Sequence, residues 1–162
     1  MKNLLKSLFA ASVLMLSLGA TAEQAQGPSL WERLGGEAGA RQIVADTYHN
    51  HKTNPIVKNR FEYSDDEYVK QRVYEIFAMA TGSPNVTYDG DLAAFHKPMN
   101  INEMEFNAVV DDVMAALDKN NVGQQEKNEV LAILWGARPA IVNMNVTTEK
   151  LAPPAEEAAH AH

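Results

Sequence analysis

The chain has no cysteine among its 162 residues. Disulfides, thiolate zinc sites, iron–sulfur clusters and covalent c-type haem attachment are therefore all excluded. Positive charge is also scarce, with 14 Lys and Arg against 21 Asp and Glu and a formal net charge of −7. No basic stripe interleaved with aromatics runs along the chain, so nucleic acid is not an expected partner. Alternating apolar and polar residues never persist long enough to write a strand, which leaves an all-α class. Internal repeats are missing as well.

Long apolar runs are missing too, with one exception. Leu8 to Leu18 is apolar, Lys2 and Lys6 precede it, and Ala20-Thr21-Ala22 follows as a small-residue cleavage signal. The run is too short to span a bilayer and reads as a secretory signal peptide over residues 1–22. No cysteine follows it, so neither a lipid anchor nor any other stable membrane anchor is expected after cleavage. Cleavage after Ala22 removes 22 residues and two lysines but no acids, leaving 140 residues of net charge −9. That is the size of one domain, and large enough to build a core without staples. Residues 23–27 read as a leader, 28–144 as the folded domain, and 145–162, with Pro153-Pro154 and the terminal His160-Ala161-His162, as a flexible tail. The expected location is the bacterial periplasm.

Within the domain the apolar periodicity is helical. Ser29 to Glu32 forms a capping box before a short helix that stops at Gly35-Gly36. Ala40, Ile43, Val44, Thr47 and Tyr48 share one face of a helix ended by Asn54-Pro55. Val69, Val73, Ile76, Phe77 and Ala80 share a second face, stopped at Gly82-Ser83-Pro84. Asn102 with Glu105 opens a long helix whose stripe is Phe106, Val109, Val110, Val113, Met114 and Leu117. Asn121-Val122-Gly123 is a turn, and a last helix carries Val130, Leu131, Leu134 and Trp135. Pro139 is expected to kink or shorten it.

One imidazole stands apart from this pattern. His96 is the only histidine between residue 52 and the tail. It closes the apolar segment Leu92-Ala93-Ala94-Phe95-His96, and Lys97-Pro98 breaks the chain after it. Tyr48, Phe61, Val69, Val73 and Phe77 read as walls of one pocket. A lone imidazole facing an apolar, aromatic cavity suits the axial ligation of haem iron. His49 and His51 point about 100° and 300° away from Tyr48 on their helix, cannot act as a joint metal pair, and are expected at the surface.

Four blocks in fixed order sharpen this reading. Leu30-Trp31-Glu32-Arg33-Leu34-Gly35-Gly36-Glu37 comes first. Phe77-Ala78-Met79-Ala80-Thr81-Gly82-Ser83-Pro84 follows, and then Tyr88-Asp89-Gly90-Asp91-Leu92-Ala93-Ala94-Phe95-His96. Ile101 and Phe106 complete the set. Together, from Ser29 to about Val142, they resemble the group I truncated haemoglobins. The chain departs from the family pattern in carrying Ser83 where a second glycine is usual, and in a stretch before His96 that is one residue shorter.

The resemblance implies a globin-like two-over-two helical sandwich around a non-covalent b-type haem, with His96 as the metal ligand. It places Tyr48 on the opposite side of the iron, where its phenol can donate to dioxygen; the alternative is a core tyrosine with a solvated hydroxyl. Phe61 would pack on the haem face or serve as an ordinary core aromatic. Phe77, Phe95 and Met99 would complete the cofactor contacts. Val69 and Val73 occupy the positions where many relatives carry glutamine or another polar group, so Tyr48 would be the strong distal donor. Arg72 and Lys70 would pair with the propionates or belong to a solvated helix face. No side chain offers a sixth ligand.

The implied function is reversible binding of dioxygen, with nitric oxide and carbon monoxide as further ligands, for carriage or storage. An alternative is an enzyme, a nitric oxide dioxygenase that depends on an external reductase, because the chain has no flavin or nicotinamide module. A third is a cofactor-free helical interaction module of the periplasm. It accounts for the periodicity but not for Tyr48, His96 and the glycine blocks occurring in order.

Overall fold

The computed structural model describes residues 27–144. The signal-peptide, leader and tail assignments, with His160 and His162, fall outside these residues apart from Gly27. Six α-helices follow in order: α1 Leu30–Arg33, α2 Gly36–Thr53, α3 Asp66–Thr81, α4 Leu92–His96, α5 Glu103–Lys119 and α6 Gln124–Ile141. Two 3₁₀ turns, Lys58–Phe61 and Lys97–Met99, intervene, and no strand forms among the described residues beyond one isolated bridge between Ile101 and Val142. The all-α, two-over-two expectation is met. α2 packs against both α3 and α5, α5 against α6, and the short α1 touches α2, α3 and α6.

Local chemistry accounts for most of the helix ends. The Ser29 hydroxyl accepts from the Glu32 amide while the Glu32 carboxylate accepts from the Ser29 amide, closing the capping box of α1. Asn102 and Glu105 do the same for α5. α3 ends at Gly82, whose φ of 94° is open to glycine and costly to other residues. Tight packing between α1 and α2 depends on a glycine outside the Gly35-Gly36 pair. A Cβ on Gly39 would lie 1.9 Å from the Leu34 carbonyl oxygen. α6 passes through Pro139 and ends at Ile141, so the proline does not terminate it.

Two buried clusters form the core. Trp31, Ala40, Val44, Tyr74 and Ala78 join α1, α2 and α3. Leu34, Ile43, Val113, Leu117 and Val130 join α2, α5 and α6. In α3 the buried residues are Tyr74, Ala78 and Thr81, not the apolar stripe read from the sequence. Val69, Ile76 and Phe77 are only partly covered, and Val73 and Ala80 are exposed. The two faces lie roughly 120° apart at 3.6 residues per turn. The helix therefore carries two apolar faces. One packs on α2, and the other is left largely uncovered because α3 makes at most marginal contact with α4, α5 or α6. α6 shows the same incompleteness, with only Val130 buried and Trp135 at 48% exposure.

Candidate functional site

His96 ends α4, a single-turn helix capped by Asp91, whose carboxylate accepts from the Ala94 amide. The His96 Nδ1 lies 2.7 Å from the Leu92 carbonyl oxygen. A carbonyl can only accept, so Nδ1 carries a proton, and in the neutral ring the lone pair is on Nε2. The ring is thereby oriented by its own helix, the arrangement that prepares an imidazole for a metal. The ring of Phe95 meets it edge-on at 5.1 Å. Among the described residues no group of three or more His, Cys, Asp or Glu could hold a metal ion. His96 alone would suit a metal that arrives with its remaining ligands already in place.

The segment carrying His96 is pinned from two sides. The Asn143 side-chain amide donates to the carbonyls of both His96 and Lys97, each at 2.9 Å. Arg60 donates to the Met99 carbonyl at 2.8 Å while pairing with Glu105. These two contacts tie the ends of α6 and the first 3₁₀ turn to the ligand segment. Neither residue stood out in the sequence, because each acts over about forty positions or more.

Tyr48 is buried on α2, and its ring meets Phe61 edge-on at 5.7 Å. Its hydroxyl lies 2.7 Å from the Asp66 carboxylate and 2.7 Å from the Ser64 hydroxyl. The Lys52 ammonium donates to the same Asp66 oxygen at 3.0 Å. The hydroxyl is held by the exposed carboxylate in α3's first turn and by Ser64 just before it. Burial, together with the bond to Asp66, pushes the Tyr48 phenol above its ordinary value, although Ser64 opposes this. The Tyr48 and Lys52 bonds hold Asp66 below the usual carboxylate range.

His51 corrects a sequence expectation. It is 7% exposed rather than a surface residue. Its Nδ1 sits 2.8 Å from Asp112 Oδ2, and its ring stacks on Phe61 at 5.1 Å. Asn54 donates to the other Asp112 oxygen at 2.9 Å. Phe61 is thus gripped between Tyr48 and His51. His49 is exposed, as expected.

The remaining candidates divide. Val69, Val73, Phe95 and Met99 are incompletely covered apolar side chains, with Val73 at 38% and Phe95 at 53% exposure. Phe77 leans on both core clusters. Arg72 is committed elsewhere. It pairs with Glu75 at 2.6 Å and Asp89 at 3.1 Å, and its guanidinium lies 4.5 Å from the Tyr88 ring centroid. Lys70 pairs with Glu67. Arg72 therefore straps α3 to the loop before α4.

A planar apolar group suits this geometry on two counts. The second apolar face of α3 is largely uncovered, and α4 carries an imidazole oriented by its own helix. Uncovered apolar surface of this kind is unfavourable unless something occupies it.

Comparison with known proteins agrees. Residues 29–143 match the family model described as bacterial-like globin. The Group 1 truncated hemoglobin of Tetrahymena thermophila is 26% identical over 111 residues, covering 68% of this chain and 92% of that protein. The crystal structure of truncated hemoglobin from Tetrahymena pyriformis in its Fe(III) form superposes with a TM-score of 0.68 at 23% identity, covering 72% of this chain and 99% of that one. The hemoglobin of the thermophilic phototroph Chloroflexus aurantiacus gives 0.64 at 26% identity, covering 72% and 98%. With its family model spanning nearly all of the described residues, this chain belongs to the bacterial-like globin family as a truncated globin.

Proposed function

We propose that this truncated globin holds a b-type haem in the gap between α3 and α4–α6, with His96 as the protein's iron ligand, and binds dioxygen reversibly for carriage or storage. The observation that carries the reading is the 2.7 Å contact from His96 Nδ1 to the Leu92 carbonyl, which leaves Nε2 free and aimed by the helix. Ferrous haem, when bound, supplies an open coordination position for a diatomic gas: dioxygen, nitric oxide or carbon monoxide.

The chain's own residues do the rest. Nε2 of His96 donates its lone pair, and Asn143 and Arg60 hold the segment that presents it. Val69, Val73, Phe95 and Met99 supply apolar walls that exclude water. Phe61, clamped by Tyr48 and His51, keeps a fixed aromatic edge at the distal end. Thioether attachment is ruled out, since the chain has no cysteine. The propionates would find Arg72 and Lys70 already paired, so these cations would have to exchange carboxylate partners to serve them. The N-terminal pattern of Lys2, Lys6 and an apolar run supports export to the periplasm.

The test is the absorption spectrum of the haem-supplemented, purified chain, with and without carbon monoxide or dioxygen. A Soret band that shifts with gas and is lost in His96→Ala supports the reading. A colourless product, or a band indifferent to His96, overturns it. Stopped-flow mixing of the oxygenated protein with nitric oxide separates carriage from catalysis: rapid nitrate formation would replace the carrier role with that of a dioxygenase served by a separate reductase.

A further inference from the structure

The Tyr48 phenol has one proton and three neighbours that define where it goes. Asp66 Oδ1 and Ser64 Oγ each lie 2.7 Å from the hydroxyl oxygen. Ser64 Oγ is also 2.9 Å from the Phe61 carbonyl. Lys52 reaches both the Phe61 carbonyl, at 3.3 Å, and Asp66 Oδ1, at 3.0 Å. A carboxylate flanked by an ammonium stays ionised at neutral pH and can only accept. The phenol therefore donates to Asp66, while the Ser64 hydroxyl donates to the Phe61 carbonyl and packs its oxygen against the phenol from the other side.

The face of α3 turned toward the gap adds a second constraint. Its first two residues, Val69 and Val73, have no polar atom beyond the backbone, so they offer the phenol no acceptor. Asp66 precedes Val69 by three residues, close to one turn, on the same helix. Among the described residues, the side-chain acceptors that reach the phenol come from the segment that leads into α3 and from its first turn.

Building on the proposed haem pocket, we propose that Asp66, backed by Lys52, is a positioning residue that competes with a gas ligand for the single proton of Tyr48. A gas molecule that needs this hydrogen bond must draw the proton away from an ionised acceptor. Tyr48 then donates weakly, and the gas leaves faster than an unengaged phenol would allow. Asp66 touches neither the haem nor the gas in this account and acts through Tyr48 alone. Its exposed position in the first turn, beside the separate N-cap Asp65, makes its replacement structurally mild.

The experiment compares wild type, Asp66→Ala, Asp66→Asn, Tyr48→Phe and the double variant Asp66→Ala/Tyr48→Phe as haem-loaded full chains. Two quantities are read: the carbon–oxygen stretching frequency of the carbon monoxide complex, and the dioxygen release rate. A third, the titration of Tyr48, is followed by NMR of ¹³Cζ-labelled tyrosine in the same diamagnetic complex. Asp66→Ala is expected to lower the stretching frequency and to slow dioxygen release about tenfold, the size of one released hydrogen bond to a charged acceptor. It should also bring the Tyr48 titration down, with Asp66→Asn intermediate in all three readouts. Tyr48→Phe should abolish both the frequency shift and the rate change. If Asp66→Ala leaves frequency and release rate unchanged, or alters them equally in the Tyr48→Phe background, this inference is overturned while the haem reading stands. If none of the chains forms a carbon monoxide complex, both fall together. Should Asp66→Ala fail to fold, Asp66→Asn carries the same comparison.

Discussion

His51 and Asp112 form a buried pair across α2 and α5, Nδ1 to Oδ2 at 2.8 Å, and the imidazole of that pair is the platform on which Phe61 stacks. Burial holds the His51 pKa below the ordinary imidazole value of 6.5, outweighing the opposite pull of Asp112. The unfolded chain therefore binds this proton more readily than the native one through the window just below 6.5. Stability should rise with pH across that window and fall as the solution is acidified. Urea unfolding between about pH 5 and pH 7 should show that slope, and His51→Gln, which keeps a donor for Asp112 but does not titrate, should flatten it. A slope of opposite sign would mean that the native state prefers the charged imidazole. Asp112→Ala, which strands the His51 and Asn54 donors, should cost about 2–3 kcal/mol at neutral pH.

Two glycines should respond in opposite ways to the same change. Gly39→Ala places a methyl 1.9 Å from the Leu34 backbone oxygen, so α1 and α2 must separate. A loss of about 1–3 kcal/mol or more is expected, read as a lower Tm. Gly136 lies inside α6 with open space around it, and Gly136→Ala should stabilise by about 0.5–1 kcal/mol through helix propensity alone. Equal effects at the two sites would contradict the packing described.

Asn143 is expected to hold the ligand helix. Its two donations, to the His96 and Lys97 carbonyls, connect the end of α6 to α4. Asn143→Ala should speed haem transfer to a scavenging apoprotein by roughly two- to tenfold, since each exposed neutral bond contributes about 0.5–1.5 kcal/mol at most. Helix content by circular dichroism should stay near wild type, which separates loosening of the ligand segment from loss of the fold.

The ferrous, gas-free protein should be five-coordinate. Among the described histidines, His49 is exposed and His51 is tied to Asp112, and the valines of α3 cannot ligate. A single broad visible band is the expected spectrum. Sharp low-spin bands without added gas would reveal a second side chain reaching the iron.

Legibility in the sequence followed the range of the interactions. The ends of α1, α3 and α5 are set by contacts three or four residues apart, as in Ser29 with Glu32 and Asn102 with Glu105, and the order of residues along the chain is enough to read them. The stop at Asn54 and the turn at Asn121 to Gly123 were equally legible. The two 3₁₀ turns carry no strong periodic signal and were not. In α3 the apolar stripe was legible as a stripe, but the face that packs on α2, through Tyr74, Ala78 and Thr81, was not. Periodicity shows that a face is apolar without showing what covers it.

The sequence alone therefore determined an all-α chain, the stops of α2 and α3, the start of α5, and the single imidazole on which the functional reading turns. These follow from local propensity, capping and composition. Only the tertiary structure decided which side of α3 meets α2, that His51 is buried against Asp112, and that the Tyr48 proton goes to Asp66. Each of those depends on partners 18 to 61 positions apart brought within a few ångströms by packing. Burial and hydrogen-bond direction are properties of the assembled neighbours, and no single stretch of chain contains them.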